Sequence, residues 1–316
     1  MIPEKGSTDS AKVCVARRVL GGVAIVVVLV AQASIGGASP RGPIQAVGAE
    51  NEYANVIAQI GGRFVDVQAV MSNPNTDPHT FEVNTSVARE IAAAQVVVQN
   101  GVGYDTFMQQ LESASPSRAR KVISAQSLLG LSTNTKNPHL WYKPATMPLV
   151  AESVERALVQ IDPSDSAYFR QRLARFDTSL SMVTRAIAQF RARFKHVKVA
   201  TTEPVADYLL TALGLDNLTP FSFQADIMNG VDPSPEDIAF QRSLFTDHVV
   251  KVFCYNAQVG SPVTTSLRDL AKSSRVPIVA VYETMPAPGY DYQSWMLAEI
   301  NALIKAIEQH KSTTSL

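Results

Sequence analysis

Cysteine is nearly missing from this chain of 316 residues: Cys14 and Cys254 are the whole supply. Cys14 lies before an N-terminal apolar run and would leave with it, so a mature chain keeps one thiol and has no internal disulfide. Cys254 sits in the apolar stretch Val249-Val250-Lys251-Val252-Phe253-Cys254-Tyr255 and reads as a packed core thiol rather than a metal ligand. Charge of either sign is not in excess. Lys and Arg number 28, Asp and Glu 28, and the pI is near 7, which leaves no electrostatic case for nucleic acid. Arg170, Arg172, Arg175, Arg185, Arg191 and Arg193 are spread at helical spacing, as on a solvated helix face. Histidine is scarce too, five in all, so there is no His-rich tract. After residue 38 no run is long and apolar enough to span a bilayer.

Residues 1–38 differ in kind. Lys12, Arg17 and Arg18 precede the apolar run from Val19 to Val30, and small residues follow at Ala31-Gln32-Ala33 and Gly36-Gly37-Ala38. A basic, then apolar, then small-residue order is that of a secretory signal peptide, and the apolar run is shorter than the ~20 residues of a spanning helix. Cys14 is on the wrong side of that run for a bacterial lipoprotein. The expectation is export across the cytoplasmic membrane to the periplasm or cell envelope.

A chain of this length with 46% hydrophobic residues can bury sizeable cores, and two are expected. Short apolar runs alternate with amphipathic ones: strands at 43–49, 65–71, 95–100 and 121–124, helices at 53–60, 85–94 and 105–113. That alternation predicts a parallel sheet covered on both faces, over residues 41–148. From 149 to 194 the strand signals vanish. Helices are expected at 150–161 and 166–194, and Phe169, Leu173, Phe176, Leu180, Val183, Ile187 and Phe190 form one apolar stripe. A helix of that length would span ~40 Å and brace two lobes stiffly. Strands resume at 197–201, 219–223, 249–255 and 278–282, with helices at 205–213, 234–245, 264–274 and 292–309, giving a second lobe over 195–316.

Two histidines occupy similar short frames, Asp77-Pro78-His79-Thr80-Phe81-Glu82 and Asn137-Pro138-His139-Leu140-Trp141-Tyr142-Lys143-Pro144. Proline fixes its own φ and biases the preceding residue away from helix, so each histidine leaves a constrained turn in a set direction. Metal sites need imidazoles aimed in this way. A lone His after Pro is more often a turn or cap residue; the repetition is what favours a ligand. His196, His248 and His310 lack such frames and read as structural or solvated. In open α/β sheets ligands bind beyond the carboxyl ends of strands. There the second lobe offers Glu203, after Thr201-Thr202, and Glu283, after Val281-Tyr282. Two groups from each lobe then make a site between lobes.

With these motifs, and with Thr201-Thr202-Glu203, Tyr208, Gly214-Leu215 and Val281-Tyr282-Glu283-Thr284-Met285 in the same order, the chain resembles the metal-binding solute-binding proteins of zinc and manganese ABC importers. The resemblance covers nearly all of the mature sequence. It implies two (β/α) lobes with parallel sheets joined by a long rigid helix, and a metal site in the interlobe cleft with ligands at His79, His139, Glu203 and Glu283. Departures are visible. Many relatives have His where this chain has Glu203 and Asp where it has Glu283, and a Leu-Asp-Pro run is replaced by Tyr142-Lys143-Pro144. The His- and acid-rich loop common in zinc-type relatives is absent between Leu128 and Lys136.

Two imidazoles and two carboxylates suit Mn²⁺, Zn²⁺ or Fe²⁺, whereas Cu(I) would want sulfur. Carboxylates that bind through one or two oxygens tilt the set toward manganese; raw affinity tilts it toward zinc. The metal is then the transported ligand, the protein is not an enzyme, and its partner is the membrane permease of an ABC importer. The protein itself is expected to be monomeric and membrane-associated only through that permease. Four protein ligands leave no open position, where a catalytic zinc keeps three and a water. The alternatives are a secreted metallohydrolase, with one Glu as base, and a metal-binding surface adhesin on the same fold.

Overall fold

The computed structural model describes residues 42–73, 81–286 and 289–316. The signal-peptide reading of residues 1–38 and the His79 position lie outside the described residues. The first lobe runs β1 (Ile44–Glu50), α1 (Asn51–Gly61), β2 (Val65–Met71), α2 (Thr85–Ala93), β3 (Val96–Gln99), α3 (Thr106–Ala114), β4 (Lys121–Ser124) and α4 (Ala125–Leu128). Two long helices follow, α5 (Thr146–Ile161) and α6 (Ser166–Phe194). The second lobe runs β5 (Lys198–Thr201), α7 (Asp207–Leu213), β6 (Asp216–Asn217), α8 (Phe221–Met228), α9 (Pro235–Thr246), β7 (Val252–Asn256), α10 (Pro262–Ser273), β8 (Ile278–Val281) and α11 (Tyr292–Gln309).

Each lobe holds a four-stranded parallel sheet with the same order, β2-β1-β3-β4 and β6-β5-β7-β8. Burial on both faces explains the near-continuous apolar runs: every residue of β3, β7 and β8 is buried. The strand order reverses direction between β1 and β3, and between β5 and β7. The carboxyl ends flanking those switch points are where an open α/β sheet opens a crevice. At the first of them the chain turns tightly into α1. A Cβ on Gly48 would fall 2.3 Å from the Ala54 backbone nitrogen, so only glycine lets β1 and α1 approach so closely.

The helix starts follow local chemistry. Asn84 caps α2 by accepting from the backbone N–H groups of Ser86 and Val87, and Ser261 and Thr264 form a reciprocal capping box on α10. The 29-residue α6 spans about 43 Å. It packs against α1 and α5 and against α7 and α11. Arg172 Nε donates to the Gln59 carbonyl at 2.6 Å, Gln293 Nε2 to Ser179 Oγ at 2.8 Å, and Arg193 pairs with Glu308. The brace predicted from its apolar stripe is there.

One expectation needs correction. Residues 219–223 are not a strand. The edge strand is the two-residue β6, which pairs with Lys198 and Val199, and Phe221 opens α8 behind Pro220. Asp216 and Asn217 have poor strand propensity, so the edge position was invisible to a pattern of apolar residues. Thr219 turns back instead, its hydroxyl accepting from the Thr201 N–H at 2.8 Å. Two buried hydrophobic clusters are present among the described residues. One buried cluster runs through both lobes, from Ile44 and Tyr53 through Trp141 and Phe176 to Phe253 and Trp295. A smaller one, with Val47, Ile91, Val97 and Met108, lies under α2 and α3.

The three histidines read as structural or solvated are all exposed. His196, His248 and His310 have φ of 67°, 52° and 53°, left-handed positions at the ends of helices. The Cys254 thiol is buried, and burial pushes it well above its ordinary range, as for a core thiol. No helix among the described residues is long and apolar enough to cross a membrane.

Candidate metal centre

His139 enters the site on the loop between α4 and α5. Its imidazole is fully buried. Asn137 Oδ1 accepts from the His139 backbone N–H at 3.0 Å and lies 2.8 Å from Nδ1. An amide oxygen can only accept, so Nδ1 carries the proton and Nε2 holds the lone pair. Nε2 makes no hydrogen bond among the described residues and stands 3.7 Å from Glu283 Oε2. A buried imidazole lone pair with no donor among the described residues and a carboxylate oxygen 3.7 Å away is chemically suited to a cation. The frame is held from both lobes. Asn100 Nδ2 donates to the Pro138 carbonyl at 2.7 Å, Asn137 Nδ2 to the Pro204 carbonyl at 2.7 Å, and Tyr208 Oη to the Asn137 carbonyl at 3.0 Å. Edge-on aromatic packing fixes the ring, with Trp141 at 5.4 Å and Tyr104 at 5.9 Å between centroids.

Glu283 follows β8 and is fully buried. Its Oε1 accepts from Asn256 Nδ2 at 2.5 Å and its Oε2 from Tyr104 Oη at 2.8 Å. Its backbone N–H and that of Thr284 donate to Gln258 Oε1, at 2.5 and 2.9 Å. Glu203 follows β5, is 2% exposed, and its Oε2 lies 3.4 Å from the same Asn256 Nδ2. One amide thus links both carboxylates. Burial and the Glu283 charge raise the Tyr104 phenol well above its ordinary pKa, so it remains a donor. The structure therefore brings together His139, Glu283 and, through Asn256, Glu203. The fourth expected ligand, His79, lies outside the described residues. Among the described residues, no three His, Cys, Asp or Glu side chains form a group able to hold a metal by themselves.

Several site residues escaped the sequence reading. Asn256 is the last residue of β7, and Tyr104 lies on the loop between β3 and α3. Neither is a metal-ligand type, so nothing in the sequence distinguishes them. Glu50 and Glu52, at the β1–α1 junction, are fully buried, and their carboxyl oxygens make no hydrogen bond among the described residues. Burial lifts both well above the ordinary carboxylate range; the neighbouring Asp105 and Glu52 charges add for Glu50, and Glu283 adds for Glu52. Asp105, accepting from the Asn100 and Gly101 N–H groups at 2.6 and 2.8 Å, is raised by burial to about 6.

Residues 47–306 match the model of the family described as the periplasmic component A of the zinc-uptake complex, ZnuA. The chain belongs to this family. A curated "putative metal-binding protein" of Thermotoga maritima is 21% identical over 170 residues, 54% of this chain and 61% of that protein. The chain thus spans about three fifths of that relative's length. Among solved structures, the periplasmic zinc-binding protein TroA of Treponema pallidum matches with a TM-score of 0.72 at 15% identity, over 84% of this chain and 99% of that one. The solute-binding protein FpvC of Pseudomonas aeruginosa, solved with Ni²⁺, matches at 0.66 and 20% identity, over 86% and 99%. At these identities the structural likeness establishes the fold: two parallel-sheet α/β lobes of the TroA and ZnuA kind.

Proposed function

We propose that this protein captures a divalent transition metal, zinc or manganese with iron(II) as a third candidate, outside the cytoplasmic membrane and delivers it to the permease of an ABC importer. The observation that carries the reading is His139 Nε2: buried, without a hydrogen bond among the described residues, its tautomer set by Asn137, and 3.7 Å from Glu283. The ligand set is His79, His139, Glu203 and Glu283. The metal is cargo, and the four side chains supply its coordination without a position reserved for a reacting water. Family membership supports binding over catalysis, an extracytoplasmic location and an ABC permease as partner. Asn256 and Tyr104 hold the carboxylates through neutral donors, which leaves their negative charge available to the metal.

The test is metal titration of the purified protein against a competing chelator. Stoichiometric binding of one Mn²⁺ or Zn²⁺, lost in His79→Ala and in His139→Ala, supports the reading. Undiminished affinity in both variants would remove the site, and hydrolytic turnover abolished by Glu203→Gln with metal retained would replace it with an enzyme.

A further inference from the structure

Three residues after His139, Tyr142 lies in the core and is 1% exposed. Its hydroxyl meets the Tyr282 peptide on both sides, donating to the carbonyl at 2.9 Å and accepting from the N–H at 3.2 Å. Tyr282 lies just past the end of β8, where strand pairing has stopped, and the next residue is Glu283. A side chain from the His139 loop thus takes the place of a strand neighbour for the peptide that carries Glu283. The same hydroxyl is 2.6 Å from Oε1 of Glu299 on α11, which also accepts from Trp295 Nε1 at 2.8 Å. Trp295 packs edge-on to the Tyr142 ring at 5.5 Å, and Tyr292 Oη donates to the Trp141 carbonyl at 2.8 Å.

We propose that Tyr142 is a positioning residue for the metal site: with Glu299 as its anchor, it fixes the His139 loop to the Glu283 peptide and so slows metal release. This rests on the metal-capture reading above. The hydroxyl has one proton and faces two acceptors, the Tyr282 carbonyl and Glu299. A neutral Glu299 resolves the conflict by giving its own proton to Tyr142 Oη, leaving the phenol proton for Tyr282. Burial supports that state, raising Glu299 to about 8, and its Oε2 makes no hydrogen bond among the described residues. Removing the hydroxyl strands two buried backbone groups beside Glu283. The loop bearing His139 and the loop bearing Glu283 then lose the bond that holds their separation.

The experiment is stopped-flow release of bound Mn²⁺ or Zn²⁺ into excess chelator, together with equilibrium affinity and thermal unfolding. Tyr142→Phe is expected to speed release by about tenfold or more with an unchanged association rate. Glu299→Gln, whose amide oxygen can take the place of Oε1 between Oη and Trp295 Nε1, should release within about threefold of wild type. Glu299→Leu should reproduce Tyr142→Phe, and the double variant should add little because the two residues act as one unit. Phe245→Leu, at a buried pair with Phe253 away from this network, serves as a control for lowered stability alone and should leave release unchanged. Release from both Tyr142→Phe and Glu299→Leu at the wild-type rate overturns the proposal, as does equal acceleration in Phe245→Leu. Wild-type protein that binds no metal in the same titration would instead bring down the metal-capture reading, and this proposal with it.

Discussion

Asn137 Oδ1 lies 2.8 Å from His139 Nδ1, and the same amide's Nδ2 reaches the carbonyl of Pro204, the residue after Glu203. One side chain therefore sets the tautomer of the first-lobe imidazole and ties it to the second-lobe carboxylate. Orientation and spacing of two candidate ligands come from a single residue two positions before the histidine. Proline at position 138 contributes, because its ring fixes the intervening φ in the turn through which Asn137 folds back on the imidazole.

Asn137→Leu should therefore weaken metal binding by about 10- to 100-fold while the fold persists, since the imidazole loses its acceptor but not its packing. Asn137→Asp keeps the acceptor and adds charge, and should hold affinity near or above wild type. Competition titration with a chelator measures both. Equal loss in the two variants would mean that the Pro204 bond, which aspartate cannot donate, is the part that matters.

Glu203 is the position at which metal choice should be adjustable. Replacing a carboxylate by imidazole removes a hard, potentially two-oxygen donor and favours the borderline metals. Glu203→His is expected to raise the ratio of zinc to manganese affinity by about tenfold or more. Paired titrations with the two ions read the ratio directly. A ratio that does not move would show that Glu203 is not a ligand.

The sheet-and-helix alternation was legible because parallel strands buried on both faces must be apolar. The stripe from Phe169 to Phe190 defined α6 to its ends. The edge strand β6 was not legible: Asp216 and Asn217 pair through their backbones, and nothing in their side chains says so. At the site, the turn chemistry of Asn137-Pro138 and the strand-end rule pointed to His139, Glu203 and Glu283. The partners Asn256, Tyr104, Tyr142 and Glu299 were not seen. Their roles depend on which neutral donors face a buried carboxylate, a matter of three-dimensional proximity between positions 27 to 179 residues apart.

Cys254 belongs to the core between Thr201 on β5 and Val279 on β8. Cys254→Ala should leave metal stoichiometry and affinity unchanged and cost about 1 to 2 kcal/mol of stability through the lost packing. In the native protein the thiol should react with an alkylating agent only as fast as the fold opens, and metal should not alter its final extent of labelling after denaturation. A Cys254→Ala protein that binds no metal would place sulfur in the site.

Glu299 gives the stability a dependence on pH whose sign follows from its burial. Its ordinary pKa of 4.5 is raised to about 8 in the folded chain, chiefly by desolvation, against which the Tyr142 and Trp295 bonds work only in part. Below about 4.5 both folded and unfolded chains hold the proton, and the contribution of this group is fully present. As pH rises the unfolded chain ionises first, which draws the equilibrium toward unfolding until the folded carboxyl also ionises near 8. Stability from Glu299 therefore falls between these limits, by an amount on the order of a few kcal/mol. Glu50, Glu52 and Asp105 are shifted in the same direction, so the wild-type profile alone would not isolate it. The difference between Glu299→Gln and wild type does. Glutamine has no proton to lose, so the unfolding free energy of the variant relative to wild type should climb steadily from pH 5 to pH 8 in denaturant titrations. Parallel profiles would mean that Glu299 is already ionised at the low end, and that the proton between it and Tyr142 belongs to the phenol alone.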